Sequence, residues 1–174
     1  MGPVRVRRMT KVLVTGMSGS GKSTALAELA RRGHRVVDTD YGGWTEEIAN
    51  PEGLGVDRRW RQEAMDALLA EPADGALFVS GTVSNQGRFY PRFDAIVLLT
   101  APLGVLLTRV AARETNDYGR ASAERDEIVH YAATVEPLLR SGASATIDTR
   151  APVSAVADEL ELIARSSGAG PLIL

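Results

Sequence analysis

A glycine-rich segment, Gly16-Met-Ser-Gly-Ser-Gly-Lys22-Ser23, ends in a lysine and a hydroxyl residue. Glycines let the backbone turn so that successive N–H groups point inward, where they bind phosphate oxygens. At this spacing the lysine reaches the β- and γ-phosphates of a nucleotide, and the hydroxyl ligates Mg²⁺. We therefore predict ATP and Mg²⁺ as cofactors. The predicted ATP contacts in this segment are Gly16, Ser18, Gly19, Ser20, Gly21, Lys22, Ser23 and Thr24.

Two aspartates, Asp38 and Asp40, lie at the end of a second predicted strand at residues 35–38. The carboxyl ends of parallel strands line the ligand crevice of an α/β sheet, so we expect both acids beside the glycine-rich segment. A carboxylate there can hold Mg²⁺ through water or accept a proton from a substrate hydroxyl. We assign Asp38 to the metal, with Ser23, and Asp40 to the acceptor as base or hydroxyl ligand. An aspartate that only caps the next segment is the alternative.

Arginines are frequent in and around residues 109–125. Arg109 and Arg113 lie four residues apart, so they share one face of a predicted helix. Arg120 lies in the irregular stretch that follows. A lid over the site would bring positive charge to the transferring phosphoryl group and exclude water. We assign this catalytic role to Arg113 and Arg120, and a contact with ATP to Arg109; a solvated arginine-rich face is the alternative.

The acceptor is expected to contact two segments of the chain. One follows the third predicted strand, where Gly81, Thr82 and Arg88 are candidate substrate contacts; a plain surface loop is the alternative. The other is the run that contains Arg58 and Trp60, in which Arg58 is the candidate substrate contact. The tryptophan either stacks on the acceptor or, as we favour, is partly buried in the core.

Asp148 and Thr149 follow the last predicted strand at residues 143–147. In a parallel sheet this places them at the same edge as the glycine-rich segment, where they are candidate contacts for the base of the nucleotide. A plain strand-to-helix turn is equally compatible with their spacing.

Short apolar runs alternate with longer helical patterns, which is typical of βαβ units and a parallel sheet. Residues 11–15 form an apolar strand directly before the glycine-rich segment, and residues 23–32 have helical spacing directly after it. We predict an α/β fold with five strands in a three-layer α/β/α domain. Residues 41–57 are expected to be a loop with one helical turn, and Asp57 to cap a helix that runs to about Ala70.

The predicted organisation is one folded domain with two loose ends. Its parts are a flexible arm at 1–9, a domain at 10–166 with an acceptor region at about 41–75 and a lid at about 114–125, and a tail at 167–174. A chain of 174 residues fits one such domain.

The composition argues against several other classes of protein. The chain has no cysteine, which removes disulfides and thiolate zinc sites. The net charge is −2 with acids and bases mixed, so we expect no nucleic-acid partner. No apolar run approaches the roughly 18 residues that span a bilayer, so we expect no membrane partner. We expect a cytoplasmic protein that acts on a small-molecule acceptor; the sequence sets no oligomeric state.

With these residues in view, the chain resembles the P-loop small-molecule kinases of the nucleoside-monophosphate kinase fold, which include shikimate, gluconate and dephospho-CoA kinases. The resemblance covers about residues 11–165. It rests on the glycine-rich segment, on Asp38-Thr-Asp40, and on Leu106-Leu-Thr-Arg-Val-Ala-Ala-Arg113, which is similar to the helix leading into the lid of these enzymes. It implies a P-loop NTPase fold with sheet order 2-3-1-4-5 and ATP-dependent phosphoryl transfer to an acceptor hydroxyl or phosphate.

The chain also departs from individual members of that group. Adenylate kinases carry Asp-Gly-Phe-Pro-Arg where this chain has Ser80-Gly-Thr-Val83, and the Gly-Gly-Gly run of shikimate kinase is missing. The acceptor is therefore left open between a metabolite, a nucleoside or nucleotide, and an antibiotic. A regulatory or accessory protein that binds ATP or GTP without kinase activity is the alternative function.

Overall fold

The computed structural model describes residues 9–50, 53, 55–72, 74–113 and 122–168. Within these residues the strands are β1 (Thr10–Thr15), β2 (Arg35–Asp38), β3 (Thr45–Ala49), β4 (Val56–Trp60), β5 (Ala76–Ser80), β6 (Ala95–Thr100) and β7 (Ala145–Asp148). The helices are α1 (Lys22–Arg31), α2 (Gln62–Ala70), α3 (Leu103–Ala112), α4 (Ser122–Thr134), α5 (Glu136–Gly142) and α6 (Val153–Gly168), with a 3₁₀ helix at Gln86–Arg92. Most of the expected arm, lid and tail, including Arg120, lies outside the described residues.

Five of the strands form one parallel sheet. Neighbouring residues of β1 point to opposite faces of this sheet: Val12 and Val14 pack in one core with α1 and α6, whereas Leu13 packs in another with α2. On that second face, Leu98 of β6 packs with α3 and α5. Helices therefore cover both faces, which explains why β1 is apolar along most of its length. The predicted α/β class and the five-stranded parallel sheet are confirmed.

The strand order of the sheet is β2-β5-β1-β6-β7, which differs from the expected 2-3-1-4-5. The difference arises because the chain forms two strands that we did not predict. Both lie between the second and third strands of the parallel sheet along the chain, so every later strand carries a higher number.

These two strands, β3 and β4, pair as an antiparallel hairpin. The prediction of a loop over residues 41–57 was therefore wrong, and so was the helix cap at Asp57, since that residue lies in β4 and α2 begins at Gln62. The hairpin places acids of β3 opposite arginines of β4, such as Glu47 opposite Arg58, and such cross-strand charge pairs stabilise a strand pair that has little apolar surface. The sequence pattern did not predict the hairpin because its strands are polar and glycines lie before and after β3.

The parallel strands deliver the predicted site segments to one edge of the sheet. β1 leads to Gly16, β2 ends at Asp38, β5 leads to Gly81 and β7 ends at Asp148. All four strands point in the same direction, so their carboxyl ends share this edge.

None of the helices in the described part of the chain is long and apolar enough to cross a bilayer.

Candidate functional site

The loop between β1 and α1 depends on glycine at two positions. Gly19 has a φ of +81° and Gly21 a φ of +94°, backbone conformations that residues other than glycine rarely adopt. A Cβ at Gly19 would also lie 2.8 Å from the carbonyl oxygen of Leu106, because α3 packs closely against the loop. The result is a loop of bare backbone at the N-terminus of α1, an arrangement that favours anions.

The hydroxyl groups of this loop differ in their surroundings. Ser20 Oγ is buried and has no hydrogen-bond partner among the described residues, whereas Ser18 is half-buried and Thr24 is exposed in the first turn of α1. Buried polar groups are normally paired, so an unpaired hydroxyl needs an explanation. A phosphate group held in the loop would supply one, and the glycine-lined backbone fits such a group.

The side chain of Lys22 turns back into the loop. Its Nζ donates to the carbonyl oxygens of Gly16 at 2.6 Å and Met17 at 3.2 Å. Burial of the ammonium group lowers the pKa of Lys22; the carboxylates of Asp40 and Asp38 oppose this effect, and the charge of Arg113 adds to it. The structure therefore brings together, within electrostatic reach, four of the predicted site residues.

A hydroxyl and a carboxylate meet at the start of α1. Ser23 Oγ donates to Asp38 Oδ2 at 2.7 Å, and the backbone nitrogen of Asp40 donates to Asp38 Oδ1 at 3.1 Å. Mg²⁺ prefers hard oxygen ligands and commonly takes one or two from the protein, with the rest from water and phosphates. The pair of Ser23 and Asp38 fits such an ion beside the phosphate-binding loop.

Strand β4 brings Arg58 to Asp40. Arg58 Nη1 lies 3.6 Å from Asp40 Oδ1, Nη2 donates to the backbone oxygen of Asp40 at 3.3 Å, and Nε donates to Thr45 Oγ1 at 3.2 Å. Both charged side chains are more than one third exposed, so they remain accessible from solvent. The arrangement places a carboxylate and a guanidinium side by side, and the carboxylate of Asp40 lies within electrostatic reach of Lys22.

Arg109 links the phosphate-binding loop to the end of β7. Its guanidinium donates to the carbonyl oxygen of Gly19 at 3.2 Å and to Oγ1 and O of Thr149 at 2.9 and 2.7 Å. Asp148 instead pairs with Arg150, which lowers the pKa of its carboxyl group. Asp148 and Arg150 also line a cavity of about 550 Å³ between α3, α4 and α5.

The residues after β5 lie in two different places: Thr82 contacts the loop between β1 and α1, whereas Arg88 lines a separate pocket. Thr82 Oγ1 donates to the carbonyl oxygen of Gly16 at 2.7 Å. Gly81 packs so closely that a Cβ there would collide with Thr39 and approach the ring of Trp60. Arg88 lies elsewhere, with Asp57 and others in a polar pocket of about 280 Å³, and the structure does not bring it to the phosphate-binding loop.

The sequence of the chain matches a known protein family and a related protein. The AAA domain family matches residues 12–130, which include the glycine-rich loop, both aspartates and the helix that carries Arg109 and Arg113. The chain belongs to this family. A nucleotide-binding protein of Gluconacetobacter diazotrophicus is 30% identical to this chain over 142 residues, which cover 79% of the chain and 37% of the relative. The chain thus spans little more than a third of that relative's length.

Solved structures identify the fold of this AAA domain. Shikimate kinase from Acinetobacter baumannii in complex with shikimate is similar over 94% of this chain and 97% of its own, with a TM-score of 0.64 and 18% identity. A gluconokinase from Sinorhizobium meliloti is similar over 92% and 94%, with a TM-score of 0.56 and 18% identity. The chain therefore has the P-loop small-molecule kinase fold, as the sequence resemblance predicted.

Two residues of this AAA domain that take part in the site were not anticipated. Thr15 and Gln86 are buried polar residues: the hydroxyl of Thr15 hydrogen-bonds to that of Thr82, and Gln86 Nε2 donates to Thr15. The only sequence signal for Thr15 is a polar residue at the end of an apolar strand, and nothing in the local sequence singles out Gln86. Their partners are far apart along the chain, so only the folded sheet reveals them.

Proposed function

We propose that the chain is an ATP-dependent small-molecule kinase that transfers the γ-phosphoryl group of MgATP to a hydroxyl or phosphate of an acceptor. The observation that carries this proposal is the convergence of Lys22, the Ser23–Asp38 pair and Asp40 around one bare-backbone loop. The kinase fold shared with shikimate kinase and gluconokinase supports it.

In this proposal each residue acts by position and charge, as expected for phosphoryl transfer. Lys22 binds the β- and γ-phosphates, and Arg113 adds positive charge beside it. Ser23 and Asp38 hold Mg²⁺, which when bound neutralises charge on the triphosphate. Asp40 orients the acceptor hydroxyl and accepts its proton, while Arg58 keeps that carboxylate in place from the hairpin side.

The remaining assignments complete the proposed site. Arg109, Thr149 and Asp148 lie on the side where we propose that the base of ATP packs, and Arg120 would approach the transferring group from the lid. Gly81 allows the segment after β5 to pack closely beside the acceptor. The acceptor is a metabolite, a nucleoside or nucleotide, or an antibiotic.

The second candidate function is a nucleotide-binding regulatory or accessory protein without kinase activity. The observation that favours it is the Gluconacetobacter relative, whose name describes nucleotide binding alone and whose chain is much longer. Both candidates predict nucleotide binding, so only transfer to an acceptor separates them.

The decisive test is substitution of the proposed base. We expect Asp40→Asn to abolish phosphoryl transfer, because an amide accepts no proton from the acceptor, while MgATP still raises the melting temperature. Transfer is measured as ADP release with a panel of hydroxyl-bearing metabolites, nucleosides and antibiotics. Asp74→Asn, an exposed substitution before β5, is the control and retains activity. Transfer by Asp40→Asn near the wild-type rate would remove Asp40 from the role of base.

A further inference from the structure

The hydroxyl of Thr82 reaches the first glycine of the phosphate-binding loop, although 66 residues separate them. Its oxygen lies 2.7 Å from the carbonyl oxygen of Gly16, 3.3 Å from the backbone nitrogen of Gly16 and 3.2 Å from Thr15 Oγ1. A hydroxyl has one proton to donate and two lone pairs that accept. These three contacts therefore use the full hydrogen-bonding capacity of the Thr82 hydroxyl.

The neighbours of Thr82 set the direction of each bond. The carbonyl of Gly16 can only accept, so it takes the single proton of Thr82, and Thr15 must then donate to Thr82. Gln86 Nε2 donates to Thr15 Oγ1 at 3.2 Å, and Gln86 Oε1 accepts from the backbone nitrogen of Val83 at 2.9 Å. A directed chain of hydrogen bonds thus runs from the loop after β5, through Thr15 and Thr82, to Gly16.

The carbonyl of Gly16 has a second donor, because Lys22 Nζ also lies 2.6 Å from it. Gly16 is buried, and a buried carbonyl oxygen that has no hydrogen-bond donor lowers the stability of the folded state. Under the proposed function, the ammonium group of Lys22 turns towards the β- and γ-phosphates, which weakens its hydrogen bond to this carbonyl. Of these two donors, Thr82 is the one that then remains in place on the carbonyl of Gly16.

We propose that Thr82 is a positioning residue for nucleotide binding, whose hydroxyl keeps the Gly16 carbonyl paired and so releases Lys22 to the phosphates. Thr82 acts through Lys22 and does not touch the nucleotide. This assigns the hydroxyl of Thr82 to the nucleotide half of the site instead of the acceptor half. The inference rests on the proposed function, since it requires that Lys22 binds phosphates.

The test compares two substitutions of nearly equal shape. Thr82→Val removes the hydroxyl, and we expect the Kd for MgATP to rise about tenfold. Thr82→Ser keeps the hydroxyl, and we expect a Kd within about twofold of the wild type. Ser84→Ala, an exposed change on the same loop, is the matched control and keeps the wild-type Kd. Titration calorimetry gives each Kd, circular dichroism checks the fold, and Thr82→Ala replaces the valine variant if that variant does not fold.

A double-mutant cycle with Lys22→Met separates a positioning role from a merely structural one. If Thr82 acts through Lys22, the loss caused by Thr82→Val largely disappears when the ammonium group is already absent. Thermal-shift titration up to millimolar MgATP covers the weaker variants. Equal affinity of Thr82→Val and the wild type, or an equal loss in both backgrounds, overturns the inference alone. A wild-type protein that binds no MgATP would instead overturn the proposed function.

Discussion

At the scale of single residues, the side chain of Lys22 binds to the backbone of the same loop that is proposed to bind phosphates. Its ammonium group is satisfied by two backbone carbonyls, those of Gly16 and Met17, and burial lowers its pKa. The negative charge of a triphosphate would favour the protonated form, so nucleotide binding and protonation of Lys22 are coupled. Under the proposed function, the side chain therefore exchanges carbonyl acceptors for phosphate acceptors.

This exchange makes Lys22→Ala a sharp probe of the loop. For the wild type, MgATP at about 100 times its Kd stabilises the protein by about 2.7 kcal/mol, which is roughly 5–10 °C in melting temperature. We expect the Lys22→Ala protein to show a shift below about 1 °C under the same conditions. Differential scanning fluorimetry measures both values.

The control for this measurement is Arg31→Ala, an exposed change on the same helix α1. It should keep the wild-type shift even if its own melting temperature falls slightly. An undiminished MgATP shift in the Lys22→Ala protein would contradict the assignment of the loop to phosphate binding.

At the scale of elements, the hairpin of β3 and β4 owes its position to Trp60. This side chain is 1% exposed, packs edge-to-face on Phe89 with ring centroids 5.5 Å apart, and donates from Nε1 to Thr39 Oγ1 at 2.9 Å. Thr39 in turn donates to the carbonyl oxygen of Ser80 in β5. The hairpin is thereby tied to the parallel sheet, and Arg58, two residues from Trp60, is brought to Asp40.

Replacing Trp60 should therefore weaken the fold more than replacing the other tryptophan. We expect Trp60→Phe to lower the free energy of unfolding by about 2 kcal/mol, because Thr39 loses its buried partner and the smaller ring leaves a gap. Trp44→Phe, on a half-buried residue of the same hairpin region, should lower it by less than about 1 kcal/mol. Urea unfolding followed by circular dichroism compares the two, and equal losses would show that Trp60 does not anchor the hairpin.

At the scale of the whole molecule, an ion-pair network joins α1 to α6. Arg32, directly after α1, contacts Glu28 of that helix at 3.0 Å, and Asp158 and Glu161 of α6 at 2.7 and 3.1 Å; His34 also contacts Glu161 at 2.7 Å. Hydrogen bonds from Arg31 and Arg32 lower the pKa of Glu28 to about 2. The network thus connects the helix that begins at the phosphate-binding loop with the last described helix of the chain.

The sign of this pKa shift predicts how stability depends on pH. A carboxyl group with a lowered pKa in the folded state contributes stability that is present above its ordinary pKa of 4.5 and lost as the pH falls towards about 2. Glu28→Gln should therefore melt at a lower temperature than the wild type at pH 6, and the difference should shrink by pH 3. Thermal unfolding by circular dichroism across this range makes the comparison.

Glu159→Gln is the matched control, since Glu159 is exposed on α6 and forms none of these ion pairs. It should melt in parallel with the wild type at every pH. A constant difference between Glu28→Gln and the wild type from pH 6 to pH 3 would contradict the role of the ionised carboxylate.

The amino-acid sequence by itself determined the α/β class, the glycine-rich loop between a strand and a helix, and the position of Asp38 and Asp40 at the end of a strand. These features are local: glycines and a lysine at fixed spacing, between an apolar run and a helical pattern, define the loop within a dozen residues. The hairpin of β3 and β4 escaped prediction because its strands are polar and its stability comes from cross-strand pairs and from the burial of Trp60.

Only the tertiary structure decided which side chains meet at the site. Thr82 and Gly16 are separated by 66 residues, Arg109 and Thr149 by 40, and Arg58 and Asp40 by 18. Each of these contacts depends on the order and register of strands, which local spacing does not encode. The physical reason is that a parallel sheet aligns the carboxyl ends of distant strands at one edge. Residues that are neighbours in the site are therefore far apart in the sequence.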